Sequence, residues 1–187
     1  MSVQEFAILT VPGWQGSAAD HWQSHWEQQY GCTRVEQHNW MRPLRGDWVA
    51  RLEDVVLAQD RPCVLVAHSL GCMLVAYWAA YSPSAHRVLA ALLVAPADPE
   101  CPVLQGAVHG WTGMALQRLP FKSRVIASQN DPFCAFKRAQ EFADAWGAEI
   151  TDYGAAGHIN AETGLGHWPQ GYEILMQWMQ KKEDKAW

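Results

Sequence analysis

Ser69 is the residue of this chain best placed for nucleophilic chemistry. It stands in Ala67-His68-Ser69-Leu70-Gly71, between the apolar run Val64-Leu65-Val66 and a helically spaced pattern, Leu74, Val75, Trp78 and Ala79. A buried strand, a sharp turn carrying serine and an immediate helix make a nucleophile elbow, G-x-S-x-G, here with alanine in the first glycine position. Small residues are required because the serine backbone is strained, at a cost of about 1–3 kcal/mol. The residues two before and two after it are expected to pass close to each other, where Ala67 adds one methyl group. An ordinary strand-to-helix turn with a serine cap fits the same residues, so the partners decide.

A hydroxyl becomes a nucleophile when a base takes its proton, and the base needs a carboxylate to fix its tautomer. In the order Ser, Asp, His, the expected partners are Asp131, in Ser128-Gln129-Asn130-Asp131-Pro132, and His158, in Gly157-His158-Ile159-Asn160. Each directly follows a stretch that reads as a strand. Asp131 before a proline also suits a simple turn, and Asp98 is the rival acid. His167, before Trp168-Pro169, is the rival base, better suited to a structural or substrate-contact role. His68 is expected to point away from the serine's site, as a packed or exposed side chain. His21 and His25, at i and i+4, have zinc-binding spacing, but neither an H-E-x-x-H pattern nor an obvious third ligand accompanies them, so no metal is expected. For the oxyanion hole the expected donors are the N–H groups of Leu70 and of Trp14, in Pro12-Gly13-Trp14-Gln15-Gly16, where the glycines allow close approach. That loop lacks the G-x-G-x-x-G spacing of a dinucleotide site, and no organic cofactor is expected.

The elements that must position these residues alternate. Strands are expected at Phe6 to Val11, Thr33 to Gln37, Cys63 to Ala67, Val88 to Ala95, Arg124 to Ser128 and Glu149 to Tyr153. Helices are expected from a Ser17 cap to Gly31, from Asp47 to Gln59, Leu70 to Tyr81, Ala135 to Trp146 and Pro169 to Lys181. Alternation of this kind predicts an α/β fold, a six-stranded, mostly parallel sheet with helices on both faces and sites beyond the carboxyl ends of the strands. The stretch from Ala97 to Pro120 is the one candidate cap, and it is short.

Bulk composition sets the frame. The 187 residues suggest a single domain over 1–187, with elements running from Val3 to about Lys181. Apolar residues make up 49% and charged residues 18%, against disorder, and net charge is −5 with scattered Lys and Arg, against a nucleic-acid footprint. No apolar run is long enough for a membrane helix. The start lacks a secretory signal, and five cysteines without C-x-x-C spacing fit a reducing cytoplasm. Eleven tryptophans are unusual; Trp14, Trp111 and Trp168 are expected to line a modest apolar pocket.

Taken together, Pro12-Gly13-Trp14 with Gly16, Asp20-His21-Trp22, Trp26, Ala67-His68-Ser69-Leu70-Gly71, Ser128-Gln129-Asn130-Asp131-Pro132 and Gly157-His158-Ile159-Asn160 with Gly164, Gly166, Trp168 and Pro169 resemble the retinoblastoma-binding serine hydrolase family, small proteins formerly catalogued as a domain of unknown function. The resemblance covers essentially the whole chain. It implies a compact, lid-poor α/β-hydrolase, Ser69, Asp131 and His158 as a triad, and hydrolysis of a small-molecule ester or amide. Ala67 departs from the glycine usual in relatives. A protein-interaction module that retains hydrolase architecture is the alternative, since one member's name reflects binding of a protein partner.

Overall fold

The computed structural model describes residues 5–113 and 115–180. The expected beginning at Val3 and end at Lys181 lie outside them.

Strands β1 (Ala7–Val11), β3 (Cys63–His68) and β4 (Val88–Val94) are almost wholly buried, which is why they read as near-continuous apolar runs. With β2 (Thr33–Arg34), β5 (Lys122–Ala127) and β6 (Glu149–Asp152) they form one parallel sheet in the order β2-β1-β3-β4-β5-β6. The chain leaves β1 for β2 on one side and returns to β3 on the other. A crevice therefore opens beyond the carboxyl ends of β1 and β3, where strand order reverses.

Strand alternation sends two sets of side chains to opposite faces. Leu9, Val11, Leu65, Ala67, Ala91, Leu93, Val125 and Ala127 pack with α2 (Arg45–Leu57), α3 (Leu70–Tyr81) and α4 (Phe136–Trp146). Ile8, Val64, Val66, Ala90, Leu92, Val94 and Ile126 pack with α1 (Trp22–Tyr30) and α5 (Pro169–Gln180).

Two expectations need correction here. The helix α1 does not start from a Ser17 cap: His21 is the cap, its Nδ1 accepting from Gln23 N–H, while the Ser17 hydroxyl donates to Gln23 Oε1. The strand expected at Thr33 to Gln37 pairs only at Thr33 and Arg34, because it is an edge strand whose Arg34 is drawn to Glu27 and Ser24.

Candidate active site

Ser69 sits at the β3–α3 junction with φ 57° and ψ −126°, a conformation an L-residue holds only when its surroundings force it. The forcing is visible at two glycines. A Cβ on Gly71 would fall far inside contact with Val11 O, and one on Gly13 would lie 2.7 Å from Ser69 Cβ and 3.0 Å from Leu70 N. Gly71 is thus crowded most closely by the end of β1 and not, as the elbow motif suggested, by Ala67. That is why alanine is tolerated at 67.

Beyond β5 and β6, two loops are laced together. Asn130 Oδ1 accepts from Gly157 N–H at 2.7 Å, and Ser128 Oγ accepts from Ala156 N–H at 2.9 Å. The lacing sets Asp131 against His158, whose Nδ1 lies 2.8 and 3.0 Å from the two carboxylate oxygens. His158 Nε2 lies 2.8 Å from Ser69 Oγ. The carboxylate side chain is 3% exposed, so its bond is little screened by water. Gly157 and Ile159, on either side of the histidine, both have positive φ, 57° and 47°; for a β-branched residue this is rare strain. Asp98, the rival acid, lies elsewhere: it pairs with Arg138 and caps Glu100 N–H. His167 stacks on His25 at 4.2 Å and bonds Gln29, a structural pairing.

His68 is packed, as one of the two expected outcomes had it, but it lines the cavity at Ser69 rather than pointing away from it. Its ring is buried on the α1 side and its Nε2–H donates to the His158 carbonyl at 2.9 Å, so the residue before the serine grips the main chain of the histidine. The ring centroids of His21 and His158 each lie 4.8 Å from that of His68. Burial pushes His68 well below the ordinary imidazole range and His21 down to about 4, with His158 the next influence on each. Both rings are neutral at pH 7. Strand alternation puts His68 on the same face as Val64 and Val66, a signal the sequence reading did not use, and nothing in the sequence showed its partner. His21 and His25 do not act as a pair: the His21 ring packs on His68, and the His25 ring stacks on His167. Among the described residues no group of three or more His, Cys, Asp or Glu is arranged to hold a metal.

A cavity of about 450 Å³ opens at Ser69. Trp14, Ala97, Leu104, Val108 and Phe133 give it an apolar wall, and His21, His68, Asn160 and Glu162 a polar one. Leu104 and Val108 come from the short segment expected as a cap. Trp111 and Trp168, expected at the mouth, are fully buried elsewhere. Trp111 packs on Trp48 and Tyr77 and donates to Pro43 O, and Trp168 packs on Trp22 and donates to the Tyr153 hydroxyl. Their indoles serve the two cores because each finds there an apolar bed and an acceptor for its N–H. Only Trp14 of the three faces the cavity. In its loop the N–H groups of Gln15 and Gly16 are taken by Trp40 O and Gly13 O, whereas neither Trp14 N–H nor Leu70 N–H donates to a backbone carbonyl among the described turn and loop bonds.

A larger cavity, about 760 Å³, lies at the other end of the sheet, by Lys122 and Glu149. Three of its charges are engaged in structural work, Arg124 with Glu149 and Lys122 with the Trp178 carbonyl. No nucleophile–base pair lies there.

Comparison with known proteins agrees with this geometry. A family model described as serine hydrolase matches residues 8–177. The chain belongs to the serine hydrolase family. The match carries the hydrolase half of the resemblance drawn from sequence and does not extend to retinoblastoma-protein binding. Among solved structures, this serine hydrolase is similar to a YdeN-like hydrolase, described as putative, from Pectobacterium atrosepticum, with 32% identity, TM-score 0.80, and 93% of this chain and 90% of that one covered. The ydeN gene product of B. subtilis is 21% identical, with TM-score 0.76 and 94% and 100% covered. Esterase 2 of Thermogutta terrifontis is 17% identical, with TM-score 0.66 and 94% and 82% covered. The last two likenesses show the fold. No match is found among curated protein sequences. No helix among the described residues is long and apolar enough to cross a membrane.

Proposed function

We propose that this serine hydrolase cleaves carboxylic esters or small amides through an acyl-enzyme on Ser69. The observation that carries the reading is the continuous hydrogen-bonded chain from Ser69 Oγ through His158 to Asp131, with bonds of 2.8 to 3.0 Å. Because His158 Nδ1 faces a carboxylate, that nitrogen bears the proton, and Nε2 presents its lone pair to the hydroxyl.

In this reading His158 takes the Ser69 proton as Oγ attacks the acyl carbon. Asp131 holds the imidazolium that forms. The charge developing on the carbonyl oxygen meets the N–H groups of Trp14 and Leu70, each worth about 3 kcal/mol in such a role. His158 then protonates the leaving group, and water repeats the sequence on the acyl-enzyme. The apolar wall of Trp14, Leu104, Val108 and Phe133 suits an uncharged acyl chain of modest length. No metal or organic cofactor enters any step. Cys72 and Cys134 are unsuited to the nucleophile's role, since burial pushes their thiols far up.

A fluorophosphonate probe tests the proposal. The wild-type chain is expected to label at Ser69, with labelling abolished in Ser69→Ala and ester turnover down by a factor of about 10⁴ or more in Ser69→Ala and His158→Ala. A correctly folded wild-type chain that never labels would overturn it and leave the binding-module alternative.

A further inference from the structure

Apart from the catalytic histidine, the side chains that line the cavity at Ser69 carry charge of one sign. None of the lining residues is Lys, Arg or Asp, and the carboxylate among them is Glu162. Glu162 is exposed, in the short turn Ala161–Thr163 that follows His158. Its N–H donates to Asn160 Oδ1 at 3.1 Å, which fixes its backbone at the rim. Among the described residues no hydrogen bond or ion pair engages its carboxylate. His21 and His68 also line the cavity, and burial keeps both uncharged at pH 7. The cation that bears on His21 is Arg34, and Glu27 pairs with it at 2.8 Å.

A substrate arm that ends in a carboxylate would find no cation in this wall and would lie against like charge. The rings of Trp14 and Phe133 add to the bias, since an aromatic face attracts cations and repels anions. The net charge of −5 extends the same sign to the approach. An arm that ends in an ammonium group meets the opposite, a solvated carboxylate with no competing partner. We propose that Glu162 is a specificity-determining residue that favours esters bearing a cationic group and turns away anionic ones. The role rests on the hydrolase reading and adds to it the charge of the substrate. Because the carboxylate is exposed, the effect is modest and salt-sensitive: a contact of this kind changes affinity by about two- to fivefold and fades at high ionic strength.

Matched pairs of esters test the role. A choline ester and its neohexyl counterpart differ only in nitrogen for carbon in the alcohol. A trimethylammonioacetyl ester and its tert-butylacetyl counterpart differ likewise in the acyl group, so the test does not depend on which arm lies beside Glu162. A third ester of each kind ends in a carboxylate. For each charged ester, kcat/KM is divided by that of its uncharged counterpart, and the ratio is compared between wild type and Glu162→Gln, which keeps the shape and removes the charge. Expected in at least one series at low salt is a fall of about threefold in the cation ratio and a rise of similar size in the carboxylate ratio. Both shifts should vanish near about 1 M salt. A general loss of fold or activity lowers numerator and denominator together and cannot produce opposite shifts. Ratios that Glu162→Gln leaves unchanged in both series, or moves in one direction for both charges, would overturn the role. Fluorophosphonate labelling of the wild type separates the two readings: a chain that labels but fails the charge comparison refutes Glu162 alone, and one that never labels refutes the hydrolase reading and this role with it.

Discussion

The two layers of helices that cover the sheet are built alike and do different work. Each buries four tryptophans almost completely: Trp48, Trp78, Trp111 and Trp146 in the α2–α3–α4 layer, Trp22, Trp26, Trp168 and Trp178 in the α1–α5 layer. In the first, indole N–H groups tie down framework: Trp111 to Pro43 O, Trp146 to Ala115 O, Trp78 to Glu53. In the second, Trp178 likewise donates to Glu149 of β6, but two indoles reach the loops around the histidine: Trp22 donates to Ile159 O at 2.8 Å and Trp26 to His167 O at 3.0 Å. Similar chemistry thus secures the serine's helix on one face and the histidine's loop on the other. Apolar content alone does not distinguish a stabilising layer from one that also aligns the site.

The most drastic way to break this division is at the elbow. Gly71→Ala places a methyl group into the backbone of β1, and we expect a stability loss of about 3 kcal/mol or more in chemical denaturation, with ester turnover lost. Acid should single out the α1–α5 side. His21 has an ordinary value of 6.5 when unfolded and about 4 when folded, so the unfolded chain binds its proton first as pH falls. Stability is therefore full above pH 6.5 and declines until about pH 4, by up to about 3 kcal/mol from this residue. Denaturation midpoints at pH 7 and pH 4.5 should diverge in wild type and converge partly in His21→Asn. Hydrogen exchange at pH 4.5 should loosen α1 before α3.

Two matched indole replacements sharpen the contrast. Trp22→Phe and Trp111→Phe each orphan one carbonyl and should each cost about 2 kcal/mol. Only Trp22→Phe, by loosening the His158 loop, should lower kcat, by about tenfold; equal kcat values in the two would erase the division of labour. The mildest change is Ala67→Gly. It should lose about 1 kcal/mol from a fully buried strand position and leave activity as it was, since what crowds Gly71 most closely is Val11.

Much of this architecture was legible because local signals agreed with the packing. Val64 to Ala67 and Val88 to Val94 are apolar without interruption, and only a strand covered on both sides needs that. Ser69, Asp131 and His158 stood out because each follows a strand, and such positions share one rim of a parallel sheet. Other features depend on contacts no local pattern encodes. A buried tryptophan and one at a cavity mouth look the same in sequence, so Trp111 and Trp168 were expected at the mouth. Histidine is an uncommon cap, so Ser17 took the place of His21. The bond from His68 spans 90 residues and joins a side chain to a carbonyl, which leaves no trace in residue type.

That bond has a mechanical consequence. Nucleophile and base sit on separate loops, yet a single imidazole adjoining the former is tethered to the main chain of the latter, so neither can wander without dragging the other. Alterations that re-tune what the cleft admits are best tolerated on its untethered flank, at Leu104 and Val108, where reshaping the wall leaves the spacing of the reacting groups untouched.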